Sequence, residues 1–358
     1  MNTCEDTALT YDDIILEPRY SEIESRNDID LSTQLSLRYK LRIPIIASPM
    51  DTVCASDMAI AMAELGGVGC IHRFMTIEKQ ALEVRTTWNT VYDPEAYYAG
   101  ISKLPHDRYT EFHNPIMAAI GANGDYLERA QELVRAGANV ILIDVAHGHH
   151  KFVKIAISKL KQSLPSHVDV IAGNVATSMG TQDLQNWGAD AVRVGIGGGS
   201  LCTTRIKTGF GLPNVTSIID CVSISQIPII ADGGIRSSGD IAKALALGAS
   251  TVMLGSLLAG TKETPGKIIE MGNGQLAKKY RGAASLETKS AHAQAERNVE
   301  GESTIVPFKG GVNFIVSGLM DGLRSALSYA GASSLIDFDP TVRRITSAGL
   351  REATPHLL

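Results

Sequence analysis

The chain has 358 residues, of which 44% are hydrophobic and 20% charged, so it can bury a large core in one large domain or two smaller ones. Its formal net charge of -5 argues against nucleic acid or an anionic membrane as the main partner, since both favour basic surfaces. The first residues have neither the basic nor the apolar part of a signal peptide, and no apolar run could span a bilayer, so we expect a soluble cytoplasmic protein.

Short apolar runs rich in β-branched residues recur along the chain, and amphipathic segments with helical periodicity separate them. Almost every residue in these runs is apolar, as in strands of a parallel sheet that are buried on both faces. The intervening segments place apolar residues at i, i+3, i+4 and i+7, which predicts helices. The eight predicted strands comprise residues 43–50, 67–72, 116–122, 140–146, 168–175, 191–197, 228–234 and 252–256.

A weak internal repeat supports an alternation of strands and helices. The phrases RAGANVILID, NWGADAVRVG and ALGASTVMLG each place a glycine at the expected end of a helix and then enter a strand. Eight such units predict a single (β/α)8 TIM barrel, while a doubly wound open sheet is the alternative. In a barrel, the active site would be built from the loops that follow the strands.

Two of these predicted loops combine glycines with a strand end. Asp232 is followed by Gly233 and Gly234, and Gly255 is followed by Ser256. Backbone N–H groups in such loops can bind a phosphate, and Asp232 could accept hydrogen bonds from ribose hydroxyls. Each residue alone could equally be a turn or cap residue, but several of them fall on one face of the predicted barrel.

The segment GIGGGSLCTT, residues 195–204, places Cys202 directly after a run of glycines at a strand end. Glycines allow a sharp turn, and consecutive N–H groups stabilise a thiolate, which favours a nucleophile over a buried structural cysteine. The remaining cysteines show no CxxC spacing and, with an odd total, indicate neither a disulfide framework nor a zinc site. They are Cys4, Cys54, Cys70 and Cys221.

A series of motifs extends over most of the chain, in this order: LTYDDIILEP, IPIIASPMDTV, GGVGCIHRFMTIEKQALEVR, IDVAHGHH, IAGNVAT, VGIGGGSLCTTRIKTGFG, IIADGGIRSSGDIAKALALGA, VMLGSLLAGT, NVEG and VPFKGG. No Walker A or Rossmann fingerprint is present. In these motifs the chain resembles the family that contains IMP dehydrogenase and GMP reductase.

The resemblance implies an oxidoreductase in which a cysteine thiolate attacks C2 of a purine nucleotide. In the dehydrogenase, hydride passes from IMP to NAD and water then releases XMP. In the reductase, GMP loses ammonia and NADPH delivers hydride to release IMP. A catalytically silent nucleotide-binding regulator on the same barrel is a third interpretation, but it would lack the nucleophile or its proton-handling partners.

Several segments favour the reductase. About thirty residues separate Arg85 from Ile116, too few for the CBS pair of many dehydrogenases, and residues 280–300 lack the Arg-Tyr pair of a dehydrogenase flap. NVEG, IKTGFG and HRF also resemble reductases, whereas ADGGIRSSGDIAKALA, GTKETPG and ITSAGLREATPH resemble dehydrogenases. We therefore expect an NADPH-dependent GMP reductase, with NAD-dependent IMP dehydrogenase as the alternative and a homotetramer as the assembly that the resemblance implies.

The resemblance assigns catalysis to Cys202 as nucleophile and to Thr204 and Glu300 as a proton-handling pair. Glu300 and Arg297 could otherwise be solvated loop charges, and Asp144 a strand-end cap. The implied substrate contacts are Ser48, Asp232, Gly233, Gly234, Gly255, Ser256, Gly282, Arg297 and Gly301. The implied cofactor contacts are Ser25, Arg26, Arg73, Asp144, Val145, Ala146, Ile196 and Gly197. Carbonyls of Gly197, Gly199 and Cys202 would bind potassium.

Two positions depart from the family pattern. Gly198 stands where the family usually has proline. Ala283 and Ala284 stand where it more often has Met together with Gly or Ser.

His147, His149 and His150 lack a metal-ligand pattern and are interpreted as polar loop residues.

We expect one catalytic domain, residues 1–358, with a flap region at 280–310 and a C-terminal helix and tail at 311–358.

Overall fold

Eight parallel strands form a closed barrel in the computed structural model, which describes residues 7–92, 114–283, 285 and 300–352. The strands, in chain order, are β1 (Ile14–Leu16), β2 (Thr33–Gln34), β3 (Lys40–Leu41), β4 (Ile45–Ala47), β5 (Val68–Ile71), β6 (Met117–Ile120), β7 (Val140–Asp144), β8 (Asp169–Val175), β9 (Ala191–Val194), β10 (Ile229–Asp232), β11 (Thr251–Leu254), β12 (Ile269–Glu270), β13 (Leu276–Arg281), β14 (Ser303–Pro307) and β15 (Val342–Arg344).

The barrel consists of β4 to β11, and each of the eight predicted strands is confirmed. Neighbours along the barrel follow the order of the chain, and β11 pairs in parallel with β4, with Val252 opposite Ile45. This pairing closes the sheet. The structure therefore confirms the (β/α)8 barrel and excludes the doubly wound open sheet, which would leave two free edges.

Helices follow the barrel strands and pack on their outer faces. Short 3-10 turns at Tyr11–Asp13 and Arg26–Asp28 precede them. The α-helices are α1 (Ser56–Leu65), α2 (Ile77–Tyr92), α3 (Tyr126–Arg135), α4 (Lys151–Ser163), α5 (Ser178–Asn186), α6 (Thr204–Thr208), α7 (Asn214–Val222), α8 (Ser238–Ala246), α9 (Val312–Ala330) and α10 (Ser347–Glu352). None of the helices in the described ranges has the length and apolarity needed to cross a membrane.

The repeated glycines end helices, as their positions in the sequence predict. Gly137, Gly188 and Gly248 have φ angles of 116°, 103° and 94°, and each lies two residues beyond a helix. A residue with a Cβ would be strained in this left-handed conformation. The glycines thus turn the chain from α3, α5 and α8 into the following strand.

Two apolar layers stabilise the barrel because side chains alternate along each strand. In β7, Val140 and Leu142 belong to a cluster inside the barrel, while Ile141 and Ile143 pack outward among the helices. All four are fully buried. Each such side chain contributes roughly 1.5–3 kcal/mol to stability, which makes these two layers the main support of the site above them.

The hairpin of β2 and β3 closes the end of the barrel where the strands begin. Leu35, Tyr39 and Leu41 of this segment belong to the inner apolar cluster. Next to them, the fully buried Asp169 accepts a hydrogen bond of 2.6 Å from Ser36 Oγ and one of 3.0 Å from the backbone N–H of Arg38. We call this end the lower end, and the buried carboxylate of Asp169 has its hydrogen-bond partners there.

A three-stranded antiparallel sheet of β12, β13 and β14 lies beside the barrel and leads to the opposite, upper end. Arg281, the last residue of β13, donates from Nε to Asp51 Oδ2 at 2.9 Å, in the loop after β4. This ion pair fixes the end of β13 over the barrel, so that Tyr280 and Gly282 face the loops where the predicted active site lies.

Candidate active site

A cavity of about 330 Å³ opens at the upper end of the barrel, where the carboxyl ends of the strands meet. Its lining includes most of the residues that the sequence assigns to the site, drawn from the carboxyl ends of six barrel strands, from the end of β13 and from the segment around residue 300. They are Ser48, Arg73, Asp144, Val145, Ala146, Ile196, Gly197, Gly199, Cys202, Thr204, Asp232, Gly233, Gly234, Gly255, Ser256, Gly282, Glu300 and Gly301.

Ser25 and Arg26 are not brought to this cavity. Ser25 Oγ accepts the backbone N–H of Asn27 at 3.2 Å, and Arg26 Nη1 donates to Ser325 Oγ at 2.9 Å. Ser25 thus caps its own turn and Arg26 contacts α9, and neither residue is among those that line the cavity. Arg297, with Ala284, lies outside the described residues.

The loop after β9 carries the cysteine in a tightly turned backbone. Gly195 and Gly197 have φ angles of 138° and 82°, which strongly favour glycine. The N–H of Cys202 donates to the carbonyl of Gly199 at 3.0 Å, so the last turn of the loop is closed by its own backbone. The thiol is partly exposed and faces the cavity.

The unusual Gly198 has a neighbour that explains it. A Cβ at this position would lie 2.6 Å from Oδ1 of Asn214, the first residue of α7. Asn214 in turn donates from Nδ2 to the carbonyl of Asp232 at 3.0 Å. The amide of Asn214 thus occupies the space beside the cysteine loop and ties it to the loop after β10.

A continuous hydrogen-bond chain joins Cys202, Thr204 and Glu300. The thiol of Cys202 donates to Thr204 Oγ1 at 3.1 Å, and this hydroxyl donates to Glu300 Oε2 at 2.7 Å. A backbone bond of 3.0 Å from the Thr203 N–H to the Glu300 carbonyl fixes the two segments together. The carboxylate orients the hydroxyl beside the sulfur, which is an arrangement suited to moving a proton next to a nucleophile.

An ion-pair network on the floor of the cavity was not predicted from the sequence. Arg193 of β9 donates from Nη1 to Asp144 at 2.6 Å and from Nε to Asp232 at 2.9 Å. Burial alone lowers the pKa of Arg193, but the two carboxylates outweigh it and raise that pKa, so the guanidinium stays charged. The only signal for it in the sequence is a charged residue inside the apolar run AVRVGIG.

Asn174 extends this network through its amide nitrogen, while its amide oxygen has no hydrogen-bond partner in the described chain. Its Nδ2 donates to Asp232 Oδ2 at 2.8 Å and to the Gly195 carbonyl at 2.7 Å. Its buried Oδ1 has no hydrogen-bond partner in the described chain and belongs to a residue that lines the cavity. An unpaired buried acceptor is costly, and a ligand hydroxyl or N–H would satisfy it.

The opposite wall has the features of an anion site. Gly233 and Gly234 adopt φ angles of 89° and 73°, and a Cβ at Gly255 would lie 3.2 Å from Tyr280 Oη and 3.5 Å from Ser48 Oγ. Burial raises the pKa of Tyr280, so its hydroxyl stays protonated and can donate. Hydroxyl and backbone donors therefore converge where a phosphate could bind, and Tyr280 is a member that sequence reasoning missed.

The residues expected to hold a nicotinamide cofactor fit such a group. Nε of Arg73 is buried without a hydrogen-bond partner among the described residues, and it lies 3.7 Å from Asp144 Oδ2. The guanidinium also stacks over Phe74, 4.9 Å from the ring centre. A free donor beside a carboxylate at the mouth of the cavity suits the polar and anionic groups of a dinucleotide.

No metal site made of side chains is found in the described ranges, where no group of three or more His, Cys, Asp or Glu residues converges. Gly197, Gly199 and Cys202 share one loop, so a potassium ion there would be bound by carbonyls. His149 contacts Asp183 at 2.8 Å and His150 caps α4, as polar loop residues do.

Comparison with known proteins agrees with this geometry. The model of the IMP dehydrogenase / GMP reductase domain family matches residues 8–356. The chain is 40% identical over 387 residues to an inosine-5'-monophosphate dehydrogenase from Cryptosporidium parvum, covering 97% of this chain and 94% of that protein. It is 33% identical over 475 residues to a GMP reductase from Leishmania major, covering 97% and 96%.

A solved structure is equally similar over the whole fold. It is a cysteine-to-alanine variant of GMP reductase from Trypanosoma brucei in complex with guanosine 5'-monophosphate, with a TM-score of 0.89, 31% identity, and coverage of 99% of this chain and 98% of that one. The chain therefore belongs to the IMP dehydrogenase and GMP reductase family. Members of this family are oxidoreductases of purine metabolism that use a nicotinamide cofactor.

Proposed function

We propose that this chain is a GMP reductase that converts GMP and NADPH into IMP, ammonia and NADP. The observation that carries the proposal is the hydrogen-bond chain of Cys202, Thr204 and Glu300, with distances of 3.1 and 2.7 Å. It places a carboxylate-oriented hydroxyl beside the nucleophile, where a departing amine needs a proton. The GMP in the Trypanosoma brucei structure supports the same substrate class.

Substrate binding uses the two walls of the cavity. Gly233, Gly255 and the hydroxyls of Ser48 and Tyr280 would hold the phosphate, while the carboxylate of Asp232 would accept the ribose hydroxyls. Because Arg193 and Asn174 already hold Asp232 in place, little side-chain entropy is lost on binding. These contacts would position C2 of the base over the sulfur of Cys202.

In the first step, the thiol proton of Cys202 passes through the Thr204 hydroxyl to the carboxylate of Glu300. The resulting thiolate forms a bond to C2 of guanine as the bond from C2 to the exocyclic nitrogen breaks. The leaving nitrogen takes a proton from the hydroxyl of Thr204, and the now protonated Glu300 replaces it through the bond between them. The pair Thr204 and Glu300 thus releases ammonia instead of an amide anion, which would be a very poor leaving group.

In the second step, the bond between Cys202 and C2 is broken and the thiolate is regenerated as IMP forms. The nicotinamide cofactor, when bound, supplies the hydride that replaces sulfur at C2. Asp144, Val145 and Ala146 would hold its nicotinamide ribose and amide, and Arg73 beside them would pair with a phosphate group of NADPH. The Nε of Arg73, which has no hydrogen-bond partner in the described chain, supports a cofactor contact there.

IMP dehydrogenase is the second candidate, and a specific observation favours it. Dehydrogenases among the similar proteins are 35% and 40% identical to this chain, against 33% for the reductase from Leishmania major. That activity would use the same Cys202 but would oxidise IMP with NAD and release XMP by hydrolysis. A silent regulator would have no use for a thiol, a hydroxyl and a carboxylate held in sequence.

Two parallel assays test the proposal. The purified protein is incubated with GMP and NADPH, and separately with IMP and NAD, while the absorbance of the reduced nicotinamide is followed. We expect absorbance to fall in the first assay, with one ammonia and one IMP formed per NADPH consumed. A rise in the second assay alone would identify a dehydrogenase, and no change in either would support a regulator.

The assembly and the cation belong to the same proposal. We expect a homotetramer, and light scattering tests this by measuring the mass of the assembly in solution.

We also expect potassium to bind the carbonyls of Gly197, Gly199 and Cys202, which would stabilise the conformation of the cysteine loop. Replacing potassium by lithium should lower turnover. Unchanged turnover in lithium would show that potassium has no role in catalysis.

A further inference from the structure

The chain after β11 makes a compact turn, residues 255–264, which we call the phosphate turn. The N–H groups of Leu258 and Ala259 donate back to the Gly255 carbonyl at 3.1 and 2.9 Å, so the turn begins like a helix. In the described chain, the N–H groups of Ser256 and Leu257 have no protein acceptor, as at any helix start. Ser256 lines the cavity, so the start of this turn adjoins the wall where a phosphate would bind.

Lys309 binds the carbonyl of the peptide unit that carries the Leu257 N–H, and also the carbonyl of the next unit, whose Leu258 N–H is bonded to Gly255. Its Nζ donates to the carbonyls of Ser256 and Leu257, both at 3.0 Å. Its backbone is fastened to the same turn, because the Lys309 N–H donates to the Gly260 carbonyl at 2.9 Å and the Lys262 N–H donates to the Gly310 carbonyl at 2.7 Å. The ammonium is therefore held at a fixed place behind the phosphate turn.

The charge of Lys309 has no carboxylate to balance it. Within the residues that the structure describes, no Asp or Glu oxygen lies within 4 Å of its Nζ. Desolvation lowers the pKa of Lys309, and no neighbouring acid opposes this effect. A half-buried ammonium without a counter-ion is costly, and a bound anion would offset that cost.

A second lysine that binds the same turn provides the contrast. Lys278 of β13 is more deeply buried and donates to three carbonyls of the phosphate turn, those of Thr261, Lys262 and Thr264. Burial lowers the pKa of Lys278, but the acids Glu263 and Asp57 act against that effect. Lys278 therefore has acidic neighbours and a structural role. Lys309 also binds the turn but has no acidic neighbour among the described residues, so its charge can interact with a bound anion.

We propose that Lys309 is a positioning residue for the nucleotide phosphate, acting through the peptide units that it holds. By donating to the Ser256 carbonyl, its ammonium orients and polarises the peptide unit between Ser256 and Leu257, which makes the free Leu257 N–H a stronger donor. Its bond to the Leu257 carbonyl holds the next unit of the turn in place. Its charge also attracts the dianionic phosphate. The inference deepens the proposed function, since it takes the phosphate of a purine nucleotide as the ligand of that site.

The test compares nucleotide with nucleoside in Lys309→Met, with Lys262→Met as the matched control. Lys262 belongs to the same turn but its side chain is exposed, so the control removes an equal charge without touching the carbonyls. We expect Lys309→Met to weaken GMP binding at least tenfold in calorimetry, to weaken guanosine binding less than twofold, and to change kcat less than threefold. Lys262→Met should leave all three within twofold.

Equal loss of GMP and guanosine affinity in Lys309→Met would mean a purely structural role and would overturn the proposal, as would unchanged GMP affinity. If that variant does not fold, Lys309→Arg and Lys309→Gln replace it. Arginine keeps the charge and should retain GMP affinity within threefold, while neutral glutamine should lose it tenfold; equal affinities would contradict the inference. Should the enzyme prove to be a dehydrogenase, IMP against inosine tests Lys309 in the same way.

Discussion

Buried carboxylates lie at both ends of the barrel, but the hydrogen-bond networks around them differ. At the lower end, Asp169 is paired with Ser36 and Arg38, and Asp190 with Lys161 at 2.7 Å and the Val170 N–H at 2.7 Å. At the upper end, Arg193 joins Asp144 and Asp232, yet Asn174 Oδ1 and Arg73 Nε remain without hydrogen-bond partners in the described chain.

This difference separates a stabilising network from a binding one. A buried polar group that has its partners contributes to the folded state, whereas one without a partner raises its free energy until a ligand arrives. Changes at the lower end should therefore affect unfolding and leave turnover intact. Changes at the upper end should lower turnover and leave the free energy of unfolding nearly unchanged.

The largest effect is expected for Cys202→Ser. A hydroxyl has nearly the same shape but is far less acidic than a thiol, so turnover should fall by at least about 10⁴-fold. The change leaves the apolar layers untouched, so the free energy of unfolding should shift by less than about 0.5 kcal/mol. Steady-state kinetics and urea unfolding measure the two quantities, and residual turnover near that of the wild type would reject covalent catalysis.

Asp169→Ala should have the opposite profile. It leaves Ser36 Oγ and the Arg38 N–H without their acceptor in the interior, which costs about 3 kcal/mol in unfolding free energy. Turnover per folded molecule should remain within about twofold, since the cavity lies at the other end. Asp12→Ala, which removes an exposed pair with Arg236, is the control and should cost less than about 1 kcal/mol.

Glu300→Gln tests the proton-handling pair. Glutamine can still accept from Thr204 but cannot relay a proton, so the step that releases ammonia should slow by about 10²-fold. The dissociation constant of GMP should stay within about threefold, and stability should be unchanged. Rapid-quench measurement of ammonia separates the step from binding; equal losses in rate and affinity would make the carboxylate a binding group.

The smallest effect is expected for Lys161→Met at the lower end. Asp190 keeps its bond from the Val170 N–H, and the lysine is partly exposed, so the loss should be about 1 kcal/mol with no change in turnover. Chemical denaturation of the variant measures it. A change in GMP affinity would show that the two ends are coupled, contrary to the distinction drawn here.

Much of the fold could be predicted because buried parallel strands have an almost uniform apolar composition. All eight strands of the barrel and the helix-ending glycines follow from that pattern and from backbone conformation. The hairpin of β2 and β3 could not be predicted, since strands of two residues carry no periodic signal. Its place in the barrel is decided by Leu35, Tyr39 and Leu41, whose burial depends on tertiary packing.

The site was predictable where chemistry is encoded locally. Cys202 and Thr204 lie in one motif, and Glu300 was found only through the family resemblance, because 96 residues separate it from Thr204. Arg193 was missed because it lies within an apolar run that predicts only a buried strand. Its role depends on ion pairs with Asp144 of β7 and Asp232 of β10, which are distant in the sequence. Tyr280 was missed since it comes from a strand outside the barrel.

Covalent catalysis by Cys202 is tested most directly by mass spectrometry of the protein after it has been quenched in acid during turnover of GMP with NADPH. We predict a covalent purine nucleotide on the peptide that contains Cys202, absent from Cys202→Ala. Sustained turnover without any mass increase on that peptide would contradict the central claim that this thiol bonds to the substrate.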